Sequence, residues 1–166
     1  MQLEICKFSR HSRTKICKND FETAPSKGFC TSQNSWFFGY KLHGVCSIYG
    51  VFHSLDITKA EVYDIHFLKN IKKQMSDCVL IGDRGYLFDS IQLYLLLSAN
   101  IRLETPKRMN HVNYKPQPYV FKKSKKRIEK LFSQLCDQFL IRRNYAKTFE
   151  GFKTRPESLL ELTQQF

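Results

Sequence analysis

The sequence predicts an α/β fold that opens with an antiparallel hairpin and continues as alternating helices and strands. Three observations carry this. "WFFGYKLHGVCSIYG" and "VFHSLDIT" are two runs rich in aromatic and β-branched residues, separated at Tyr49-Gly50. Val62, Ile65, Leu68, Ile71 and Met75 then recur every three or four residues, and so do Ile128, Leu131, Phe132, Leu135 and Phe139 further on. Between these stripes lie two short apolar runs, "CVLIGD" and "IRLETP".

The chain has 166 residues, which suits one domain with a sizeable core. An apolar content of 42% and an aromatic content of 14% exclude a disordered chain. Residues 7–35 are polar and basic and read as a long loop or irregular segment. The hairpin follows, with strands near 36–47 and 51–57. "KAEVYDIHFLKNIKKQM" is an amphipathic helix that Thr58 could cap. "CVLIGD" is a strand of the kind buried on both faces. "DSIQLYLLLSAN" reads as a second helix, with Asp89 or Ser90 as N-cap and Asn100 at its stop. "IRLETP" is a strand ended by Pro106, and the basic stretch around Pro116 and Pro118 is a loop. "KKRIEKLFSQLCDQF" gives the last helix.

The formal charge is +12 and is unevenly placed. From Arg102 to Arg155 there are 15 Lys and Arg against 4 Asp and Glu, a balance of +11. That concentration is the footprint expected for a polyanion partner such as nucleic acid; the bland alternative is a solvated face. The six cysteines, at 6, 17, 30, 46, 78 and 136, form no CxxC pair, so zinc-ribbon and knuckle sites are excluded. They read as small core residues. The start "MQLEICKFSR" has no apolar signal region, and no run is long enough to span a membrane. The expectation is a cytoplasmic protein with no membrane partner.

The candidate chemistry begins at "LIGDRGY". Asp83 stands at the carboxyl end of a strand, where sites of open α/β sheets gather, and Gly82 and Gly85 let the backbone turn there. A turn-capping role is the alternative. Glu129 borders the apolar stripe of the last helix within the cationic "KKSKKRIEK"; its alternative is a surface pair with Lys125 or Lys126. Two carboxylates in a basic groove suit Mg²⁺-dependent phosphoryl transfer, in which two ions clamp the attacking and leaving oxygens.

"LEICKFSRHSRTKIC", "WFFGYKLHGVCS", "AEVYDIHFLKNIKKQMSDCVLIGDRGY" and "KKRIEKLFSQLCDQFLIRRNYAKTFEGFKTR" together resemble DDE transposases of bacterial insertion sequences, most closely the insertion sequence 982 family. The resemblance runs from about Met1 to Arg155, leaving 156–166 as a divergent tail. It implies an RNase H-like mixed five-stranded sheet with flanking helices and an Asp-Asp-Glu triad holding two Mg²⁺. It also implies double-stranded DNA as partner, both element ends and target, and a bacterial, nucleoid-associated setting, with a homodimer as one assembly. By the same match Asp83 is the second carboxylate and Glu129 the third. The first belongs to an Asp-Ser-Met stretch whose Asp would precede Met1. Glu4 falls on the wrong side of the match and Asp20 lies in the polar loop. The expectation is therefore a chain truncated at both ends, with an incomplete first strand, weak or single Mg²⁺ binding and no transposition activity. A non-catalytic DNA-binding remnant is the alternative, and a basic RNA-binding domain a third reading that lacks its aromatic or GXXG motifs.

DNA contacts are expected from Lys122, Lys123, Lys125, Lys126, Arg127, Arg142 and Arg143, with Lys147, Lys153 and Arg155 behind them. Lys41 and His43 alternate on one strand and could face a phosphate together; a solvated strand face is the alternative. Asp64 and His66 read as capping or surface residues, and Tyr40, Tyr86, Tyr119 and Phe121 as core.

Overall fold

The computed structural model describes residues 2–9, 23–30, 34–107, 109–112, 114–138, 146, 148–154 and 158, with side chains for all but 2–9 and Arg84. Strands β1 (Gln2–Ser9), β2 (Ser26–Cys30), β3 (Ser35–Cys46) and β4 (Phe52–Lys59) precede helix α1 (Ile65–Ile71). Then come β5 (Cys78–Ile81), α2 (Asp89–Ala99), β6 (Ile101–Glu104) and α3 (Tyr119–Gln138).

The strands form one mixed six-stranded sheet in the order β2-β3-β1-β5-β6, with β4 also paired to β3. β3 is its hub. It pairs antiparallel with β1 from Gly39 to Cys46, with β4 from Tyr40 to Cys46, and with β2 from Ser35 to Gly39. β1 is parallel to β5 through Gln2–Ile81, and β5 is parallel to β6 along four pairs. An incomplete first strand was expected. β1 runs for eight residues, each paired to β3, while it meets β5 at the single pair Gln2–Ile81. The five strands implied by the resemblance are joined by β2, which lies in the stretch expected to be loop.

Alternation along β3 divides the core. Tyr40, Leu42 and Cys46 join Phe52 beneath Ile128, Phe132, Leu135 and Cys136 of α3. Val45, with Leu80, Ile101 and Leu103, meets Phe67, Leu68 and Ile71 of α1 and Leu95 of α2. Each large side chain so buried contributes about 1.5–3 kcal/mol. α3 packs very close to the sheet at Gly44, where an added Cβ would stand 2.6 Å from Cζ of Phe132. That contact sets the height of α3, and with it the height of Glu129 one turn earlier.

Several boundaries differ from the sequence reading. α1 starts at Ile65 rather than near Lys59, because β4 runs on to Lys59 and a turn carries the chain to Val62, whose N–H donates to the Lys59 carbonyl at 3.1 Å. Thr58 is a β4 residue and caps nothing; Asp64 holds the N-cap position without a capping bond from its side chain. α2 takes Phe88 as N-cap, leaving Asp89 in the first turn, and ends as expected at Asn100 in the left-handed conformation. α3 begins at Tyr119, directly after Pro118, whose carbonyl accepts the Phe121 N–H at 3.0 Å. The cationic run 122–127 is thus helical.

Candidate metal and nucleic-acid site

Asp83 sits two residues past β5. Gly82 still follows the sheet, its N–H donating to Glu104 O at 2.9 Å. A single 3₁₀ turn, Arg84–Tyr86, then closes with Tyr86 N–H on Asp83 O at 3.1 Å. Tyr86 is fully buried and anchors this turn in the α1–α2 core, with its ring 3.3 Å from where a Gly82 Cβ would be. The anchored ring and the tight turn hold the Asp83 carboxylate at the strand exit, half-exposed.

α3 crosses above it. Lys125 Nζ lies 3.1 Å from Asp83 Oδ1 and 4.0 Å from Glu129 Oε1. The two carboxylates therefore converge on one nitrogen, Asp83 from the sheet and Glu129 from the helix. Lys125 and Glu129 are four apart on one helix face, which explains their contact; Asp83 is brought in only by the tertiary fold. All three side chains are more than a third exposed, so the cluster adds little stability, less than about 1 kcal/mol per pair. Hard carboxylate oxygens are the donors that Mg²⁺ prefers, and here those of Asp83 and Glu129 share the Lys125 ammonium. Among the described residues no group of three His, Cys, Asp or Glu could hold a metal. In the parallel β1–β5 pair, Glu4 and Asp83 each lie two residues beyond Gln2–Ile81. Asp20 falls outside the described residues.

Around this cluster α3 presents Lys122, Lys123, Lys126 and Arg127 to solvent. Arg127 also donates to Ile48 O at 2.7 Å and so pins α3 to the β3–β4 turn. Arg142 and Arg143 lie outside the described residues.

Lys41 and His43 do not reach the surface, and the phosphate contact expected of them is not available. Their face of β3 is covered by α1 and the segment before it, which strand alternation alone could not reveal. Lys41 is buried, with Nζ 2.8 Å from both Asp64 Oδ1 and Val62 O. Asp64, read from sequence as a cap or surface residue, is the partner of this lysine. Its Oδ2 would lie 3.5 Å from a Cβ on Gly85, so the ion pair abuts the turn that carries Asp83. His43 is fully buried, stacked on Phe67 with centroids 4.9 Å apart, with Nε2 2.7 Å from Thr58 Oγ1 and Nδ1 unpartnered. Burial lowers its pKa to about 4, so it is neutral at pH 7.

Tyr40 and Tyr86 are core residues as expected, while Tyr119 is exposed. Cys30, Cys46 and Cys136 are buried and Cys78 is partly buried. No helix among the described residues is long and apolar enough to cross a membrane.

The family model for the transposase DDE domain matches residues 1–148. Neither the curated proteins nor the solved structures yielded a match.

Proposed function

The chain belongs to the DDE transposase family, and we propose that it is the Mg²⁺-dependent DNA cleavage and strand-transfer domain of an insertion-sequence transposase of the insertion sequence 982 type, built on an RNase H-like sheet. The observation that carries this reading is the convergence of Asp83 and Glu129 on Lys125 Nζ, at 3.1 and 4.0 Å. Asp83 and Glu129 are the metal-holding carboxylates. Bound there, Mg²⁺ supplies the positive charge that stabilises the attacking and leaving oxygens of phosphoryl transfer.

The rest is done by the chain itself. Lys122, Lys123 and Lys126 hold the DNA backbone along α3, and each neutralised phosphate releases counterions. Lys125 keeps the two carboxylates from repelling one another while no metal is held, then turns to a phosphate. The buried Lys41–Asp64 pair steadies the turn behind Asp83. Positioning and electrostatics of this kind supply most of the rate in such transfers.

A second reading, a domain that binds DNA without strand transfer, has one observation in its favour: the described side chains gather two carboxylates rather than three. Two carboxylates hold a divalent ion weakly. A cleavage assay separates the two readings, using DNA with the matching element ends and Mg²⁺ or Mn²⁺. Cleavage abolished by Asp83→Asn supports the enzyme. Salt-sensitive DNA binding without cleavage supports the domain as a binder. No salt dependence and no cleavage with either ion would remove both.

A further inference from the structure

Among the described residues, β1 pairs with β3 from Gly39 onward and β2 pairs with it from Ser35 to Gly39, so β2 and the first residues of β3 form a two-stranded ribbon at one end of the sheet. Its two faces differ sharply. Gly28 and Cys30 point inward and are buried. Gly28 is tight enough against Ala60 that a Cβ would come within 2.6 Å of the Ala60 carbonyl oxygen, so the ribbon is seated by its inner face. The outer face carries Lys27, Phe29, Trp36 and Phe38, which register as the cross-strand pairs Lys27–Phe38 and Phe29–Trp36. Trp36 is 65% exposed, Phe38 49% and Phe29 39%. The Phe29 and Trp36 rings lie 5.2 Å apart, and Lys27 Nζ stands 4.7 Å from the Trp36 ring centroid.

Three neighbouring aromatic rings left in water on this ribbon are costly in solubility and invite association. They do nothing for the core, since the inner face seats the ribbon. What they offer is a cluster of exposed π faces, the Phe29 ring tilted 60° to Trp36, with the Lys27 ammonium over the Trp36 ring, where an incoming base would displace it towards the phosphates. We propose that this face is a stacking platform for unpaired bases of a DNA strand, with Lys27 meeting the strand's phosphates. Base–aromatic stacking is tolerant of sequence, because every base has a π face. A second copy of the chain fits less well: a symmetric contact would bring two Lys27 side chains together between molecules each carrying +12. A nucleic-acid strand supplies both complements, planar bases and negative charge. Trp36 and Phe38 also share strand parity with Tyr40 and Leu42, the β3 residues beneath α3, so the platform continues on the side of the sheet that bears the cationic helix. Strand opening near a cleaved end is where such bases would arise.

The inference rests on the reading of the chain as a DNA-handling domain but is tested apart from it. Trp36 is the single tryptophan, so its emission reports on the platform directly. The full chain is titrated at low salt with a short oligothymidylate and, separately, with a duplex of the same length. The single strand should quench Trp36 emission and the duplex should leave it nearly unchanged. Phe29→Ala and Phe38→Ala retain the reporter; each should weaken single-strand binding about tenfold while duplex affinity, read by anisotropy of labelled DNA, stays within about twofold. Circular dichroism checks that both variants fold, and Lys27→Gln, a surface change, gives an independent arm with a smaller loss. Binding of duplex with no single-strand quenching overturns the platform alone. Binding of neither overturns the DNA reading with it. A concentration-dependent dimer that Phe38→Ala dissociates, with single-strand affinity unchanged, would assign the patch to self-association instead.

Discussion

Lys125 Nζ on α3 lies 3.1 Å from Asp83 Oδ1 at the exit of β5, joining residues 42 positions apart in the chain. A lysine in that place competes with any metal for the same oxygens. Lys125→Met should therefore raise Mn²⁺ affinity several-fold, roughly the worth of a half-exposed ion pair, while weakening DNA binding at low salt. Calorimetric Mn²⁺ titration and a salt series of DNA binding read the two effects. An unchanged Mn²⁺ affinity would mean that Lys125 does not compete for the carboxylates.

Gly44 is the position where α3 comes closest to the sheet, since its added Cβ would meet Phe132 Cζ at 2.6 Å. Gly44→Ala should cost about 1–3 kcal/mol in urea unfolding, the usual cost of overpacking a core. It should also weaken Mn²⁺ binding, because the helix that carries Glu129 is pushed outward. Phe132→Leu in the same chain should restore part of both. A Gly44→Ala protein of unchanged stability would contradict the packing described here.

His43 gives a pH signature. Its pKa falls from 6.5 to about 4 on folding, chiefly through burial. Below pH 6.5 the unfolded chain takes up a proton that the folded chain refuses until about pH 4. Stability contributed by neutral His43 is thus complete above pH 6.5 and is lost as pH falls towards 4, by up to about 3 kcal/mol. The difference in unfolding free energy between the parent and His43→Gln should shift in the parent's disfavour between pH 7.5 and pH 5. A difference that does not move with pH would place a water or partner on His43 Nδ1.

Much of the architecture is legible in local pattern. The hairpin of β3 and β4, the strand that leads to Asp83 and the apolar stripe of α3 are read from periodicity, which depends on neighbours in sequence. What is not legible depends on neighbours in space. Lys41 and His43 look like a polar strand face, and only the helix laid over them makes one a buried ion-pair partner and the other a neutral core residue. β2 escapes notice because Gly28 and Cys30 make a poor apolar face; what seats the ribbon there is the close approach to Ala60. Asp83 and Glu129 are each ambiguous alone. Their meeting at Lys125 is a tertiary fact that residue spacing cannot supply.

Asp83 and Glu129, the carboxylates that meet at Lys125, are proposed to hold a divalent metal together. The most direct measurement is Mn²⁺ binding to the purified chain by electron paramagnetic resonance, compared with Asp83→Asn, Glu129→Gln and the double variant. A shared site should give binding in the parent, a large loss in either single variant, and little further loss in the double, since each change breaks the same site. Mn²⁺ bound equally well by the parent and the double variant would contradict it.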